Sequence, residues 1–443
     1  MNRWSISIVL VVVLFGVAPG CATYSDRMKG ARSEVTRGNY KGGIDAVDKI
    51  IGVNAPDKMP TRFKSETALA VLERATLKQA IDDFGSSATD FEAADKNLEL
   101  LDIANDTVGE IGKYMFSDSS TKYRSSPVEK ISLNSFNMMN YLAQGNLSGS
   151  RVEARRFTVM QNYLNDTDPQ KPHAAFGSYL AGFTMERLGE YGSAMRYYDE
   201  ALQIRNFNSL RGPVARLATL TNYRGKAIKK FLAENPTKPS ASQKEADLLV
   251  VVSIGRVPHK EPKRMPIGAA IGIAGTWISG DPAVLGYTVT KVVVYPELVP
   301  SEQVIRKASI KIDGRAESLE LASELGVEIQ REYDAMKPKI IGAALSRMIV
   351  RAAAAEGARQ AGKQSDQALG WVAALLTEAT LVAMDKPDTR SWIFLPNRVY
   401  LHRSKIPPGE HEIAVNLGPG GIRSQKIKVQ AGGFSVVVVT APR

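Results

Sequence analysis

The sequence predicts an α+β protein: an N-terminal array of helical hairpins, then a mainly antiparallel β-sheet or sandwich carrying a helical insertion. Three observations predict it. Apolar residues recur at helical spacing, with sparse prolines, from Tyr24 to about Asn235. Asn235-Pro236-Thr237-Lys238-Pro239-Ser240-Ala241-Ser242 is a cluster of turn formers. Beyond it, short β-branched runs give way to two alanine-rich stretches and then return. The implied divisions are a signal segment at 1–20, a helical domain at 21–235, a linker at 236–246, and a β-rich domain at 247–443 with its insertion at about 319–384. A chain of 443 residues has room for one to three domains.

Met1 to Gly20 reads as a secretory signal. Arg3 supplies a positive start, and the apolar run Ile6 to Val17 is too short to span a membrane comfortably. Ala18-Pro19-Gly20-Cys21 closes it and resembles the lipobox of bacterial lipoproteins, with Pro19 an unusual residue there. The resemblance implies that Cys21 is acylated and becomes the new N-terminus, giving an anchor of several acyl chains. Ala22 in place of Asp implies delivery to the outer membrane. An ordinary signal peptide with Cys21 incidental is the plainer alternative. Cys21 is the single cysteine, which excludes an intrachain disulfide and a cysteine-based zinc site.

In the helical half, four segments share a glycine followed by aromatic or small apolar residues: Gly38 to Ile50, Gly85 to Leu98, Gly145 to Phe157 and Gly189 to Leu202. The last, Gly189-x-Tyr191-x-x-Ala194-x-x-x-Tyr198-x-x-Ala201-Leu202, resembles the second helix of a tetratricopeptide repeat. Ala181-Gly182 stands at the small-residue positions of the preceding helix. Small residues let antiparallel helices approach, and aromatics such as Tyr191 and Tyr198 fill the gap between hairpins. Ser178 and Asn206 depart from the repeat pattern. About four irregular hairpins are expected, presenting a face to a peptide or protein partner; a compact bundle is the alternative. Arg155 and Arg156, in Val152-Glu153-Ala154-Arg155-Arg156, read either as a solvated ion-paired face or as a partner-binding stripe.

In the second half, Asp247 to Ile254 reads as a buried strand, and Tyr287 to Tyr295 and Ala308 to Ile312 as further strands. Leu319 to Met336, Ile340 to Ala361 and Ala368 to Met384 read as helices. Strands return at Trp392–Phe394, Val399–His402, Glu412–Leu417, Gln425–Val429 and Phe434–Thr440. Pro266 to Gly280 is apolar, glycine-rich and too short to span as a helix. It reads as a buried loop, or as a segment that enters a bilayer or a partner pore.

Three motifs recur with the strands: Gly255-x-x-Pro258-x-Lys260 with Lys263-Arg264, Asp388-Thr389-Arg390-Ser391-Trp392-x-x-Leu395-Pro396, and Pro407-Pro408-Gly409-Glu410-His411. With the lipobox and Val152 to Arg156 they make the mature chain resemble a family of bacterial tetratricopeptide-repeat-containing outer-membrane lipoproteins. The resemblance implies an envelope location and carries no catalytic residue across. From the residues themselves, Asp388, Arg390, Trp392 and Pro396 read as an ion pair with aromatic stacking that fixes a strand edge, and Pro408-Gly409 as a tight turn.

No Gly-x-Ser-x-Gly, Walker loop or His-Glu-x-x-His occurs, and four histidines leave little for a metal centre. No metal or cofactor is expected. His402 and His411, with Glu410, Glu412 and Asp388, form the one imaginable His/carboxylate site. Trp277, Trp371 and Trp392 could stack on sugar but lie in apolar stretches.

The net charge is +11, and Arg205 to Arg264 carries 13 basic against 4 acidic residues. Arg224, Lys226, Lys229 and Lys230 concentrate it. A secreted lipoprotein does not meet nucleic acid, so anionic lipid, lipopolysaccharide, cell wall or an acidic protein face is the expected counter-surface. The expected function is a lipid-anchored, non-enzymatic scaffold or adaptor of the envelope, facing the periplasm and binding a partner protein. The alternatives are an accessory subunit of an export apparatus and, behind it, an envelope hydrolase.

Overall fold

The computed structural model describes residues 22–100, 123–167, 174–237, 244–287, 292–363 and 387–443. Cys21, Trp371 and the stretch Ala368 to Met384 lie outside the described residues. The architecture is mixed α and β, with helices first and strands later.

The helical half runs α1 (Tyr24–Arg27), α2 (Lys29–Thr36), α3 (Tyr40–Ile51), α4 (Thr67–Ala80), α5 (Phe84–Asn97), α6 (Pro127–Ala143), α7 (Leu147–Thr167), α8 (Ala175–Arg187), α9 (Tyr191–Ile204), α10 (Arg211–Leu220) and α11 (Lys226–Glu234). Their starts are chemically marked. Thr23 with Asp26, and Ser126 with Glu129, form reciprocal capping boxes, and Pro127 opens α6. From α2 through α9 each helix packs on the next, and α11 returns onto α9. Gly38, Gly145 and Gly189 sit in turns at φ +82°, +69° and +78°, which favours glycine. Gly85 does not belong with them: it lies inside α5, and Asp82, at φ +63°, makes that turn.

The strands form three layers with the helices. A central sheet has the order β12–β3–β9–β8, from β12 (Phe434–Ala441), β3 (Ala246–Ile254), β9 (Arg398–Ile406) and β8 (Glu320–Ser323). Its pairs are antiparallel except β12 with β3, which is parallel. A second, wholly antiparallel sheet has the order β11–β10–β6–β7, from β11 (Ile422–Val429), β10 (Gly409–Asn416), β6 (Ser309–Ile312) and β7 (Arg315–Glu317).

The two-residue period of β3 sorts its side chains between the layers. Leu249 and Val251 join the helices' core with Leu401 and Val438, whereas Leu248, Val250, Val252 and Ile254 pack with Ile413, Val415 and Ile427 of the second sheet. The strand is buried on both faces, which explains its uninterrupted apolar run.

An arm leaves this body. It consists of a two-stranded ribbon, β4 (His259–Pro266) with β5 (Val292–Val299), the short helix α12 (Ile267–Ala274), and the far half of α13 (Leu325–Lys363). The near half of α13 joins the main core through Leu325, Ile329 and Tyr333. Farther on, Ile341, Ala344, Leu345, Met348 and Ile349 build a separate small core with Ala270, Ala274, Val293 and Tyr295. A short ladder between Glu99–Leu100 (β1) and Arg124–Ser125 (β2) completes the strands.

Several expectations are corrected. Residues 320–323 are extended rather than helical and pair with β9. The helices expected at Leu319–Met336 and Ile340–Ala361 are one helix that runs through Pro338. Trp392–Phe394 is a turn segment, not a strand. His259–Pro266, for which the sequence offers no element, is a strand despite Pro262. Ile267–Ala274, read as part of a loop, is helical.

Candidate functional site

The Asp388 to Pro396 motif is a plug seated in the helical layer. Trp392 is fully buried. Phe91 and Phe136 approach its ring edge-on, with centroids at 5.9 and 6.1 Å, and its Nε1–H donates to Thr76 Oγ1 at 3.0 Å. The backbone N–H of Trp392 donates to Glu129 Oε1 at 2.8 Å. Those of Ile393 and Phe394 donate to the two oxygens of Glu73 at 2.6 and 2.8 Å. Two buried carboxylates thus satisfy a backbone stretch that has no sheet partner. Burial pushes the Glu73 carboxyl well up, and the two backbone donors only partly oppose this.

Asp388 and Arg390 pair through two side-chain bonds of 2.8 and 2.9 Å. Burial alone would raise the Asp388 carboxyl, but Arg390 overcomes it and holds it below the usual range. The aromatic partner of Arg390 is Tyr123, 5.7 Å from the guanidinium, not Trp392 as expected. Pro396 is buried, whereas Pro408 is exposed and Gly409 opens β10. Trp392 therefore offers no face to sugar. Trp277 lies half-buried under Lys339, whose Nζ is 4.5 Å from the ring centroid.

A second seam was not foreseen. Arg403 on β9 donates to Glu186 of α8 at 2.9 Å, to Asp247 of β3 at 2.6 and 3.0 Å, and to the Tyr198 hydroxyl at 2.9 Å. Burial would raise both carboxyls, but Arg403 holds Glu186 below its ordinary value and Asp247 at about 2. This corrects the assignment of Tyr198 to a partner-binding face, because it is fully buried and spent on this network. Tyr191 is half-buried beneath Arg216. Arg155 is exposed, and Arg156 pairs with Glu153 at 2.8 Å. The signal for these seams was a charge inside an apolar helical run, as in Glu73-Arg74. Arg74 itself is fully buried between Asp48 and Asp90, at 2.7 Å from each.

The histidines do not combine. His402 bonds Ser318 O and Ser404 on the central sheet, while His411, on the second sheet, bonds Asp313 Oδ2 at 2.6 Å and Pro407 O at 2.8 Å. A serine–histidine–carboxylate row does occur elsewhere. His259 Nδ1 lies 3.0 Å from Ser301 Oγ, and its Nε2 lies 3.1 Å from Glu261. Its proton direction is wrong for nucleophile activation. Ser301 donates its only hydroxyl proton to Val257 O at 2.6 Å, so it accepts from His259 Nδ1–H, and Arg32 donates to Nε2. Burial first, then Arg32, lowers His259 to about 4. The row clips α2 to β4 and supplies no general base.

One patch of exposed positive charge lies at the end of the helical layer. Ile228 and Phe231 seat α11 on α9, and Asp199 accepts the Ile228 N–H at 2.8 Å near the start of α11. Lys226, Lys229 and Lys230 are left on the outer face. Lys230 reaches Glu234 only at 3.9 Å. Arg224 is exposed but committed, donating to the carbonyls of Ala218, Thr221 and Tyr223 at the end of α10. A groove of about 480 Å³ at the end of β3 and the start of β9 is lined by Ser301, Glu302, Gln303, Arg306, Asn397 and Arg398 over Ile254 and Ile305.

Comparison with protein-family models and with curated proteins returned no match, so the reading of this chain rests on its own residues.

Proposed function

We propose that the protein is a non-enzymatic scaffold of the bacterial envelope, lipid-anchored at Cys21 in the outer membrane, facing the periplasm, with a tetratricopeptide-like helical layer that binds a partner protein. The tetratricopeptide-like reading draws support from α8 and α9. A Cβ added at Gly182 would collide with the Tyr198 ring, so one helix offers a small residue to the next helix's aromatic. The observation that carries the binding proposal is the outer face of α11. It turns Lys226, Lys229 and Lys230 to solvent, while Tyr198, Arg403 and Trp392 are consumed inside. An acidic partner face complements such a helix. Family membership in the tetratricopeptide-containing outer-membrane lipoproteins remains part of the same proposal.

A photocrosslinker at Lys229 in intact cells tests it. A reproducible partner is expected, lost when Lys226, Lys229 and Lys230 are changed to Glu. Recovery of no partner, or of the same partner from the charge-reversed chain, overturns the assignment of this face. The apolar arm favours a second reading, an accessory subunit of an export apparatus, and the same crosslinked partner would name it.

A further inference from the structure

We infer that the tip of the arm, Met265 to Gly280, lies in the interface of the bilayer to which the chain is anchored; this rests on the proposed acylation of Cys21. The tip is chemically set apart. Its 16 residues include no charged side chain. Its exposed side chains are those of Pro266, Ala269, Ile273 and Thr276, of which only Thr276 is polar, with exposed glycines between them; Ile273 is 39% exposed. The eight residues of α12 make a helix of about 12 Å, well short of a hydrocarbon core of about 30 Å. Such a helix lies within the interface rather than across it.

The flanks match headgroup depth. Lys263 and Arg264 are exposed just before the tip, and Trp277 with Lys339 closes its other end. The tip is also held firmly. Ser279 N–H donates to Ser346 Oγ at 2.8 Å, and Gly342 leaves room for the Trp277 carbonyl on α13.

The ribbon itself is guarded against a second copy. Pro262 pairs with Pro296 directly across the ladder. Neither has an N–H, so the pair occupies a site where backbone donors would point outward, and both free edges lose a donor there.

The anchor selects the bilayer as occupant. Only Ala22 and Thr23 separate Cys21 from α1, a reach of about 10 Å to Tyr24. Tyr24 and Met28 are buried in the core, so no slack follows. The α1 helix packs on β4, and Arg32 bonds both His259 and Glu261 at the ribbon's root. The acyl chains and the arm therefore spring from one place. By strand rise the tip lies about 23 Å farther along. Tethering at that range raises the local concentration of lipid, so a weak insertion suffices.

The lone cysteine makes the test direct. Acylation occupies the Cys21 sulfur, so Ile273→Cys in the full lipidated chain carries one free thiol for a polarity-sensitive fluorophore. The exposed β11 residue Ile422, as Ile422→Cys, is the reference. Each protein is reconstituted in vesicles of phosphatidylethanolamine and phosphatidylglycerol. Quenching by brominated acyl chains at least about twofold stronger at 273 than at 422, with a blue-shifted emission, is expected. Flotation with the vesicles but equal quenching at both sites overturns the tip assignment and leaves the anchor standing. Self-quenching of the 273 probe without lipid quenching means that a second copy covers the tip, and overturns it too. Failure to float overturns the anchor and this inference together.

Discussion

Glu186 and Arg403 are 217 residues apart in sequence and 2.9 Å apart in the fold, joining a helix of the outer layer to a strand of the central sheet. Asp247 pairs with the same guanidinium from the next strand, and Arg187, Arg216 and Lys405 also reach these two carboxylates. Arg403→Met removes the buried cation that both carboxylates share, leaving Glu186 to Arg187 and Arg216 and Asp247 to Arg187 and Lys405, and should cost about 3 kcal/mol in urea unfolding. A loss below about 1 kcal/mol would mean that the seam contributes little. Asp247, held at about 2, contributes fully above its unfolded value near 4 and loses that contribution as pH falls toward 2.

The Trp392 plug makes a separate prediction. Glu73→Ala leaves the N–H groups of Ile393 and Phe394 buried without an acceptor, and should cost about 3 kcal/mol. Trp392→Ala should cost about 3–5 kcal/mol through the cavity between Phe91 and Phe136. Both are read by chemical denaturation. An unchanged midpoint in Glu73→Ala would show that the segment docks without those bonds.

Two histidines should give opposite pH dependence. Burial and Arg32 lower His259 to about 4, so the unfolded chain binds the extra proton between about 6.5 and 4, and folding weakens as pH falls through that window. The hydrogen bond to Asp313 raises His411, and the same bond lowers Asp313. That pair is fully stabilising between the unfolded values near 4 and 6.5, and its contribution is lost as pH rises through the folded value of His411. Relative to the native chain, His259→Gln should gain stability at pH 5 compared with pH 8, and His411→Gln should lose more at pH 5 than at pH 8. Equal differences at both pH values would refute the assigned protonation states.

The mixed helix-then-strand order was legible because its signals are local. The run Asp247 to Ile254 has no polar interruption, since β3 is covered on both faces. The turns at Gly38, Gly145 and Gly189 announce themselves through glycine, whereas Asp82 conceals the fourth. What failed depends on distant partners. His259 to Pro266 gives no strand signal because an exposed ribbon tolerates proline and charge. Trp392 to Phe394 has strand composition, but its backbone donors go to Glu73 and Glu129 rather than to a ladder. Tyr198 looked like a filler between hairpins open to a partner. Its hydroxyl instead donates to Glu186 and accepts from Arg403, which comes from the far end of the chain. The basic residues after Arg205 were found by counting, yet counting could not separate Arg224, which caps a helix, from Lys226 and Lys229, which face solvent.

The parallel pairing of β12 with β3 bears on how the molecule is made. The helices emerge first, yet α4 and α6 rest partly on β12, and Gln79 of α4 accepts the Thr440 hydroxyl at 2.9 Å. The earliest helices thus await the last strand before their sheet-facing apolar side is covered, a long-range closure that is slow by topology. The nascent chain stays pliable until Phe434 to Ala441 arrives, and a product cut short before that strand leaves β3 with an open edge, a ready mark for proteolysis.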